Sequence, residues 1–302
     1  MGYDLKPIDA YKKGIVRDLF IDTADDNYIA ARWCFVEGLN IDYFWLAVHA
    51  LEKYMKASLL INRRSGKSYR DNAGTYKFFG HDIVILYEHV KSFASDLLPG
   101  RLEQPDETVL DYWFDESPEE FLQRLYDYGN PHNRYQIFGF QQFSENIYKL
   151  DLMVFALRRL CVPLDGYVQS INGVNLTASG RNLTYRDVLM NDPEEWALFS
   201  AGKLKNTASG KRGERLRKIL LDNNIPFAPE DFPHSASGTG MEFKNAVLDY
   251  LLLKQLGKAS DSHAAKIAVE LTDWAVHNIK VPEDVEKQLQ DAKANCVAKW
   301  KI

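Results

Sequence analysis

A run of basic residues in the second half of the sequence is the first feature with an evident chemical use. Between Lys203 and Lys218 seven lysines and arginines stand against one acidic residue, Glu214, in a segment rich in serine and glycine. Such a run predicts contacts with nucleic-acid phosphates. The candidate contacts are Lys211, Arg212, Arg215, Arg217 and Lys218. A solvated helix face has the same pattern, and the lack of aromatic residues for base stacking favours that second interpretation.

The segment Ser65-Gly66-Lys67-Ser68 resembles the end of a phosphate-binding Walker loop, in which backbone amides and a lysine surround a phosphate. The position that requires the first glycine of that motif is Ile61, and a helical pattern rather than a strand precedes the loop. Both departures favour a solvated loop that happens to contain this tripeptide.

Enzyme and metal motifs give no further support for a reaction. The seven histidines form no HxxxH pair, and no GxSxG or HExxH sequence is present. His49 follows an apolar helix position, which favours a boundary histidine with local hydrogen bonds. The sequence therefore predicts neither a metal site nor a cofactor.

Composition restricts the class of protein. The chain has 302 residues, of which 46% are hydrophobic, so it can bury a substantial core. A net charge of -5 argues against a globally basic nucleic-acid coat but could conceal a local basic patch. Three separated cysteines without a CxxC pair suit a reducing compartment, and no apolar stretch has the length of a signal peptide or a membrane span. We expect a cytoplasmic protein without membrane contact.

Apolar residues at three- and four-residue steps predict helices throughout the first half. The predicted helices cover about residues 23–39, 42–61, 82–98, 118–128 and 141–160, and the polar, glycine-bearing segment from Asn62 to Gly80 is predicted as a loop. Local signals mark several ends: Gly38 ends the first helix, Ser117 caps the fourth and Pro163 follows the fifth. The predicted core residues are Phe35, Leu51, Met55, Leu86, Val90, Ile147 and Val154.

The second half is less regular until helical periodicity returns near its end. Scattered glycines predict a connecting region over residues 166–233, with a short hairpin around Tyr167 to Asn175 and a helix at Gly213 to Asp222. Further helices are predicted at about residues 241–256 and 260–279, and one that Pro282 opens toward Trp300. The predicted organisation is an all-α helical bundle over residues 1–165, the connecting region, and a helical region over 234–302. Any strands should be confined to roughly residues 163–235.

Four segments of the first half resemble the HEPN domain, a small helical nucleotide-binding module of prokaryotes and higher eukaryotes. They are Tyr28 to Arg32, Phe44 to Ala57, Gly80-His81-Asp82-Ile83 with Leu86, and Asn133-Arg134-Tyr135. The second is the most specific, since its alanine, glutamate and two lysines fall at the spacing of the family. The resemblance covers roughly residues 20 to 162.

Membership of this family implies an up-and-down bundle of four to five helices and a homodimer whose facing helices form a polar cleft. Many members are ribonucleases with an arginine followed, after four to six residues, by a histidine. In this chain Arg124 and His132 come nearest, with seven residues between them. Because both side chains must reach one phosphate, this departure favours a non-catalytic protein.

The resemblance also suggests where a ligand would bind. The candidate contacts are Arg32, Lys53, Lys56, His81, Arg134 and Tyr135. Arginine and lysine would bind phosphate groups, and a tyrosine face can stack on a base. As the alternative, Lys53 and Lys56 are solvated helix positions, and Arg32 and Arg134 pair with acidic residues such as Glu37 or Asp151. We therefore expect nucleotide or RNA binding in a dimer cleft, with a ribonuclease using Arg124 and His132, or a purely structural dimerisation module, as the other hypotheses.

Overall fold

The computed structural model of the chain describes residues 7–104, 110, 112–131, 133, 139–167, 184–191 and 252–302. Helices dominate this part of the chain, which confirms the predicted all-α fold. No helix in the described ranges is long and apolar enough to cross a bilayer. The hairpin predicted at residues 167–175, the helix at 213–222 and most of that at 241–256 lie outside the described residues.

The first three helices follow one another closely. They are α1 (Pro7–Val16), α2 (Asp22–Val36), joined to α1 by the π-helical turn Arg17–Ile21, and α3 (Asn40–Ile61). Both α2 and α3 end in a Schellman motif, in which an amide past the helix end donates to a carbonyl five residues back, over 2.8 Å in each case. The motif needs a residue with positive φ, and this residue is Gly38 after α2 but Arg63 after α3.

A small antiparallel hairpin occupies the segment that was predicted as a loop. Strands β1 (Ser68–Arg70) and β2 (Tyr76–Phe78) pair with Tyr69 opposite Lys77. The expectation that strands would be confined to residues 163–235 was therefore wrong. Strands of three residues are too short for an alternating pattern to stand out in the sequence.

Three further helices complete the first core. They are α4 (Ile83–Ala94), followed by the 3-10 turn Ser95–Leu97, α5 (Pro118–Gly129) and α6 (Asn146–Arg159). Ser117 and Glu120 form the capping box that starts α5. At the other end of α5, a Cβ on Gly129 would lie 2.4 Å from the carbonyl oxygen of Phe44, so glycine permits the close approach of α5 to α3.

One hydrophobic core joins α2 to α6, with α3 at its centre. Six of the seven predicted core residues are buried: Leu51, Met55, Leu86, Val90, Ile147 and Val154. Phe35 is only partly buried, because it lies at the end of α2, and its ring packs edge-on against Tyr43.

The described C-terminal helices build a second core together with the N-terminal helix. They are α8 (Lys254–Lys258), α9 (Ser262–Asn278) and α10 (Glu283–Trp300), and the short α7 (Tyr185–Asn191) precedes them. Ile8 and Ile15 of α1 pack with Leu271 and Ala275 of α9, and Leu60 of α3 joins them. This second core brings α9 close to the hairpin.

Candidate nucleic-acid interface

The hairpin is held against the bundle by three aromatic rings. The rings of Tyr69 of β1 and Phe79, which follows β2, pack at a tilt of 31° with centroids 4.8 Å apart, and both contact His89 of α4. Burial lowers the pKa of His89, which favours the neutral ring in this apolar contact. The hairpin therefore has one anchored side and one side that is free to meet a ligand.

The outer side of the hairpin exposes two aromatic residues of β2. Tyr76 and Phe78 have relative exposures of 63% and 69%, unusually high for large apolar side chains. The Arg70 guanidinium lies 4.2 Å from the Tyr76 ring centroid, a cation–π contact that restrains this ring. Surfaces that bind single-stranded nucleic acids are built from exposed aromatic rings next to positively charged side chains.

A cavity of about 420 Å³ lies between the hairpin and α9. We call its lining the hairpin face: Lys67, Tyr76, Lys77, Phe78, Asp273 and His277. Lys67 spans the two elements by donating from Nζ to the Val276 carbonyl oxygen, 3.2 Å away. This bond places a lysine at the C-terminal end of α9, where the helix dipole favours a positive charge.

The hairpin segment is locally basic although the whole chain is acidic. Residues 62–80 contain five lysines and arginines and one acidic residue, Asp71, a net charge of +4. Asp71 pairs with Lys77 over 3.2 Å, and Asp273 on the α9 side pairs with Lys293. The acidic groups near the cavity are thus already compensated, and the remaining charge attracts phosphate.

A second polar group, which we call the Glu52 cluster, adjoins the exit of the hairpin. It consists of His49, Glu52 and Lys56 on α3 and His81 before α4. Lys56 Nζ donates to Glu52 Oε1 at 2.6 Å and to the Gly80 carbonyl oxygen at 2.9 Å. His81 Nδ1 lies 3.0 Å from Glu52 Oε2. The i,i+4 pair of Glu52 and Lys56 is therefore buried at the carboxylate end, not solvated.

The charged groups of this cluster shift one another's pKa values. Burial alone would raise the pKa of Glu52, but hydrogen bonds from His49 and His81 and the charge of Lys56 hold that pKa well below its usual range. The hydrogen bond to Glu52 raises the pKa of His81, whereas partial burial and the charges of Lys56 and Lys280 oppose this rise. The Glu52 carboxylate is therefore ionised at neutral pH.

Of the ligand contacts predicted from the sequence, the structure brings Lys56 and His81 together and places two others elsewhere. Arg32 lies in the core, where it pairs with the buried Asp151, the alternative considered for it. Lys53 faces α2 and donates to Asn27 Oδ1 at 2.6 Å. Neither side chain adjoins the Glu52 cluster, so neither enters the site that we describe.

Arg124, the predicted catalytic arginine, is also held by the protein itself. Its Nε and Nη2 donate to Glu116, and its Nη1 donates to Asn146 Oδ1 at 2.9 Å. Lys149, fully buried, donates to the same Glu116 at 2.7 Å. Arg124 therefore forms a structural ion pair. Among the described residues, the structure shows no path by which it could reach a scissile phosphate.

Several predicted site residues lie outside the described part of the chain. They are His132, Arg134, Tyr135, Lys211, Arg212, Arg215, Arg217 and Lys218. Their proposed roles stay predictions.

The hairpin face was missed from the sequence, although a signal was present. Tyr76-Lys77-Phe78, an aromatic–basic–aromatic triplet between Gly74 and Gly80, follows four basic residues within a short distance. That combination is typical of nucleic-acid-binding surfaces and could have outweighed the failed Walker motif. The contribution of His277 and Asp273 from α9 had no local signal.

Comparison of the chain with family models, with curated proteins and with solved structures found no match, so the resemblance to the HEPN domain stays a proposal that its quoted residues carry.

Proposed function

We propose that this chain is a non-catalytic, HEPN-like protein that binds single-stranded RNA or a nucleotide, with the hairpin face as the binding surface. One observation carries the proposal: the exposed rings of Tyr76 and Phe78 line a single cavity. The same cavity is also lined by Lys67, Lys77 and His277. A base would stack on an aromatic ring, and the neighbouring cations would bind the adjoining phosphate. Free nucleotides and RNA share this chemistry.

The Glu52 cluster extends the same surface. His81 follows β2 closely in sequence, and the positive charge of Lys280, just beyond α9, acts on His81. Lys56 and His81, which the family resemblance suggested as ligand contacts, therefore adjoin the hairpin face rather than form a separate cleft. A longer RNA strand could continue from the hairpin toward His81.

A homodimer is part of the same proposal. Trp33 and Val36, three residues apart on α2, expose 49% and 71% of their surface, and Leu39 exposes 43%. An exposed apolar patch of this kind is more typical of an interface than of a solvated helix end. This patch supports the dimer that the family resemblance implies.

Fluorescence anisotropy with a labelled, unstructured RNA and with a labelled nucleotide, both in the presence of EDTA, would test the proposal. Replacing Tyr76 and Phe78 together by Ala should weaken RNA binding by at least roughly 5- to 150-fold, the effect of losing one stacked base, since stacking contributes about 1–3 kcal/mol per base. The matched control is Tyr112→Ala, which removes another aromatic residue, 61% exposed, that does not line the cavity. Equal affinity of the double variant and the control would contradict the proposal.

Salt provides the second measurement. If the two lysines of the hairpin face, Lys67 and Lys77, contact phosphates, raising the salt from 50 to 200 mM should weaken RNA binding by roughly 7-fold. Lys77→Gln should reduce this salt dependence, whereas Lys258→Gln on α8 should leave it unchanged. Intact RNA after prolonged incubation is expected; cleavage that Arg124→Ala abolishes would instead establish the ribonuclease.

A further inference from the structure

Three side chains with metal-binding atoms converge in the Glu52 cluster. The ligand atoms of His49, Glu52 and His81 all lie within 4.8 Å of one another. His49 and Glu52 are one helical turn apart on α3, so they project from the same face of the helix. His81 comes from the segment before α4, 29 residues from Glu52 in the sequence.

The two oxygens of the Glu52 carboxylate have different neighbours. Lys56 Nζ donates a hydrogen bond to Oε1 over 2.6 Å. Oε2 instead faces both imidazoles, 3.0 Å from His81 Nδ1 and 3.6 Å from His49 Nδ1. Two ligands about 2.1 Å from a common metal lie roughly 3.0 Å apart at octahedral angles and 3.4 Å apart at tetrahedral angles. The two distances from Glu52 Oε2 to the imidazoles are thus already near those that a shared ion requires.

We propose that His49 Nδ1, Glu52 Oε2 and His81 Nδ1 bind a divalent transition-metal ion of the zinc class. Two imidazoles and one carboxylate suit Zn²⁺ and its neighbours, whereas Mg²⁺ and Ca²⁺ prefer oxygen ligands alone. The His81 side chain is 59% exposed, so water or a phosphate oxygen can reach the fourth position. Three protein ligands and an accessible position are the arrangement of reactive rather than purely structural zinc sites.

The surroundings of the three ligands support the assignment. Lys56 holds Oε1 and thereby fixes the plane of the carboxylate, as outer-shell partners of metal ligands do. Trp45 packs edge-on against His49 with ring centroids 4.4 Å apart, which restrains that imidazole.

This site has no local signal in the sequence, which predicts no metal. A histidine three residues before a glutamate on one helix is common, and the third ligand joins only through the packing of α3 against α4. The inference is independent of RNA binding, because the affinity for RNA is measured in EDTA and the affinity for metal is measured without RNA.

Calorimetric titration of the full-length, chelator-stripped protein with zinc chloride would test the site. We expect one equivalent of Zn²⁺ to bind, and His81→Ala to weaken binding by at least about tenfold. Since His81 is mainly exposed, this variant should keep the wild-type circular dichroism spectrum. His263→Ala, which removes an exposed histidine from α9, is the matched control.

A second measurement distinguishes this ligand set from the cysteines. The Co²⁺-loaded protein should show visible absorption bands without the near-ultraviolet charge-transfer band of a thiolate ligand, and His81→Ala should lose those visible bands. No binding by the wild type, equal affinity of the two histidine variants, or a thiolate charge-transfer band would overturn the proposal.

Discussion

Replacing Arg32 distinguishes a structural from a ligand-binding arginine. Its side chain is 7% exposed and pairs with Asp151, which is fully buried and also accepts a hydrogen bond from Tyr28. Arg32→Met keeps most of the apolar stem but leaves the carboxylate without its counter-charge. Breaking a buried pair in this way costs about 3–5 kcal/mol, because the remaining charge is uncompensated.

The exposed pair of Arg101 and Asp115 provides a matched control. Their side chains are 73% and 76% exposed and lie 3.8 Å apart, so Arg101→Met should cost less than about 1 kcal/mol. Urea unfolding measures both losses, and the melting temperature of Arg32→Met should fall by roughly 5 to 8 °C. A loss for Arg32→Met as small as that for Arg101→Met would refute the structural role.

The pH dependence of Arg32→Met gives an independent check. Burial raises the pKa of Asp151, and the charge of Arg32 opposes this rise in the wild type. Without Arg32, Asp151 holds its proton more firmly in the folded state than in the unfolded state. The stability of the variant therefore falls as the pH rises above 3.8, the ordinary pKa of an aspartate. The difference from the wild type should therefore be largest near neutral pH and shrink toward pH 4. A deficit independent of pH would point to lost packing alone.

Three further predictions follow from single residues. Light scattering should give a dimer mass for the wild type, and Val36→Lys should shift the protein toward the 34.7 kDa monomer; a monomeric wild type at micromolar concentration would refute the dimer. Arg63→Gly should stabilise the fold by up to about 1 kcal/mol in urea unfolding, because Arg63 holds a positive φ; destabilisation would show that contacts of its side chain matter more. The pKa of Glu52 lies below its ordinary value of 4.5, so the stabilisation that the Glu52 carboxylate provides is present above that pH and is lost on acidification. Glu52→Gln should therefore reduce the loss of folding stability at acid pH. An unchanged loss of stability at acid pH would contradict this role of Glu52.

Helices were predictable where the signal is local. Gly38 ends α2, Ser117 caps α5 and Pro282 precedes α10, as their sequence neighbourhoods indicated. Helix α1 was not predicted, although Ile8, Ile15 and Val16 have the seven- and eight-residue separations of one helix face. Their burial comes from the C-terminal helices, which lie far away in the sequence.

Charge pairs were predictable only in part, because spacing along a helix does not reveal depth. The four-residue separation of Glu52 and Lys56 on α3 is compatible with an ion pair, but it does not reveal that Glu52 is only 5% exposed. The pair of Arg32 and Asp151 connects residues 119 positions apart, so only an assembled bundle identifies it. Burial therefore separates the predicted ligand residues that have a structural role from those that a ligand can reach. Residue type alone does not make this distinction.

The candidate surface depends on both halves of the chain. The hairpin supplies the exposed rings and most of the positive charge, while α9 supplies His277 and the carbonyl that holds Lys67, 209 residues away in sequence. Helix α9 is positioned in turn by α1 and by the end of α3, through the second core. A binding surface whose two walls come from distant parts of the sequence is only half visible in a local motif, so the aromatic triplet of β2 indicates one wall and the packing of α9 against the hairpin supplies the other.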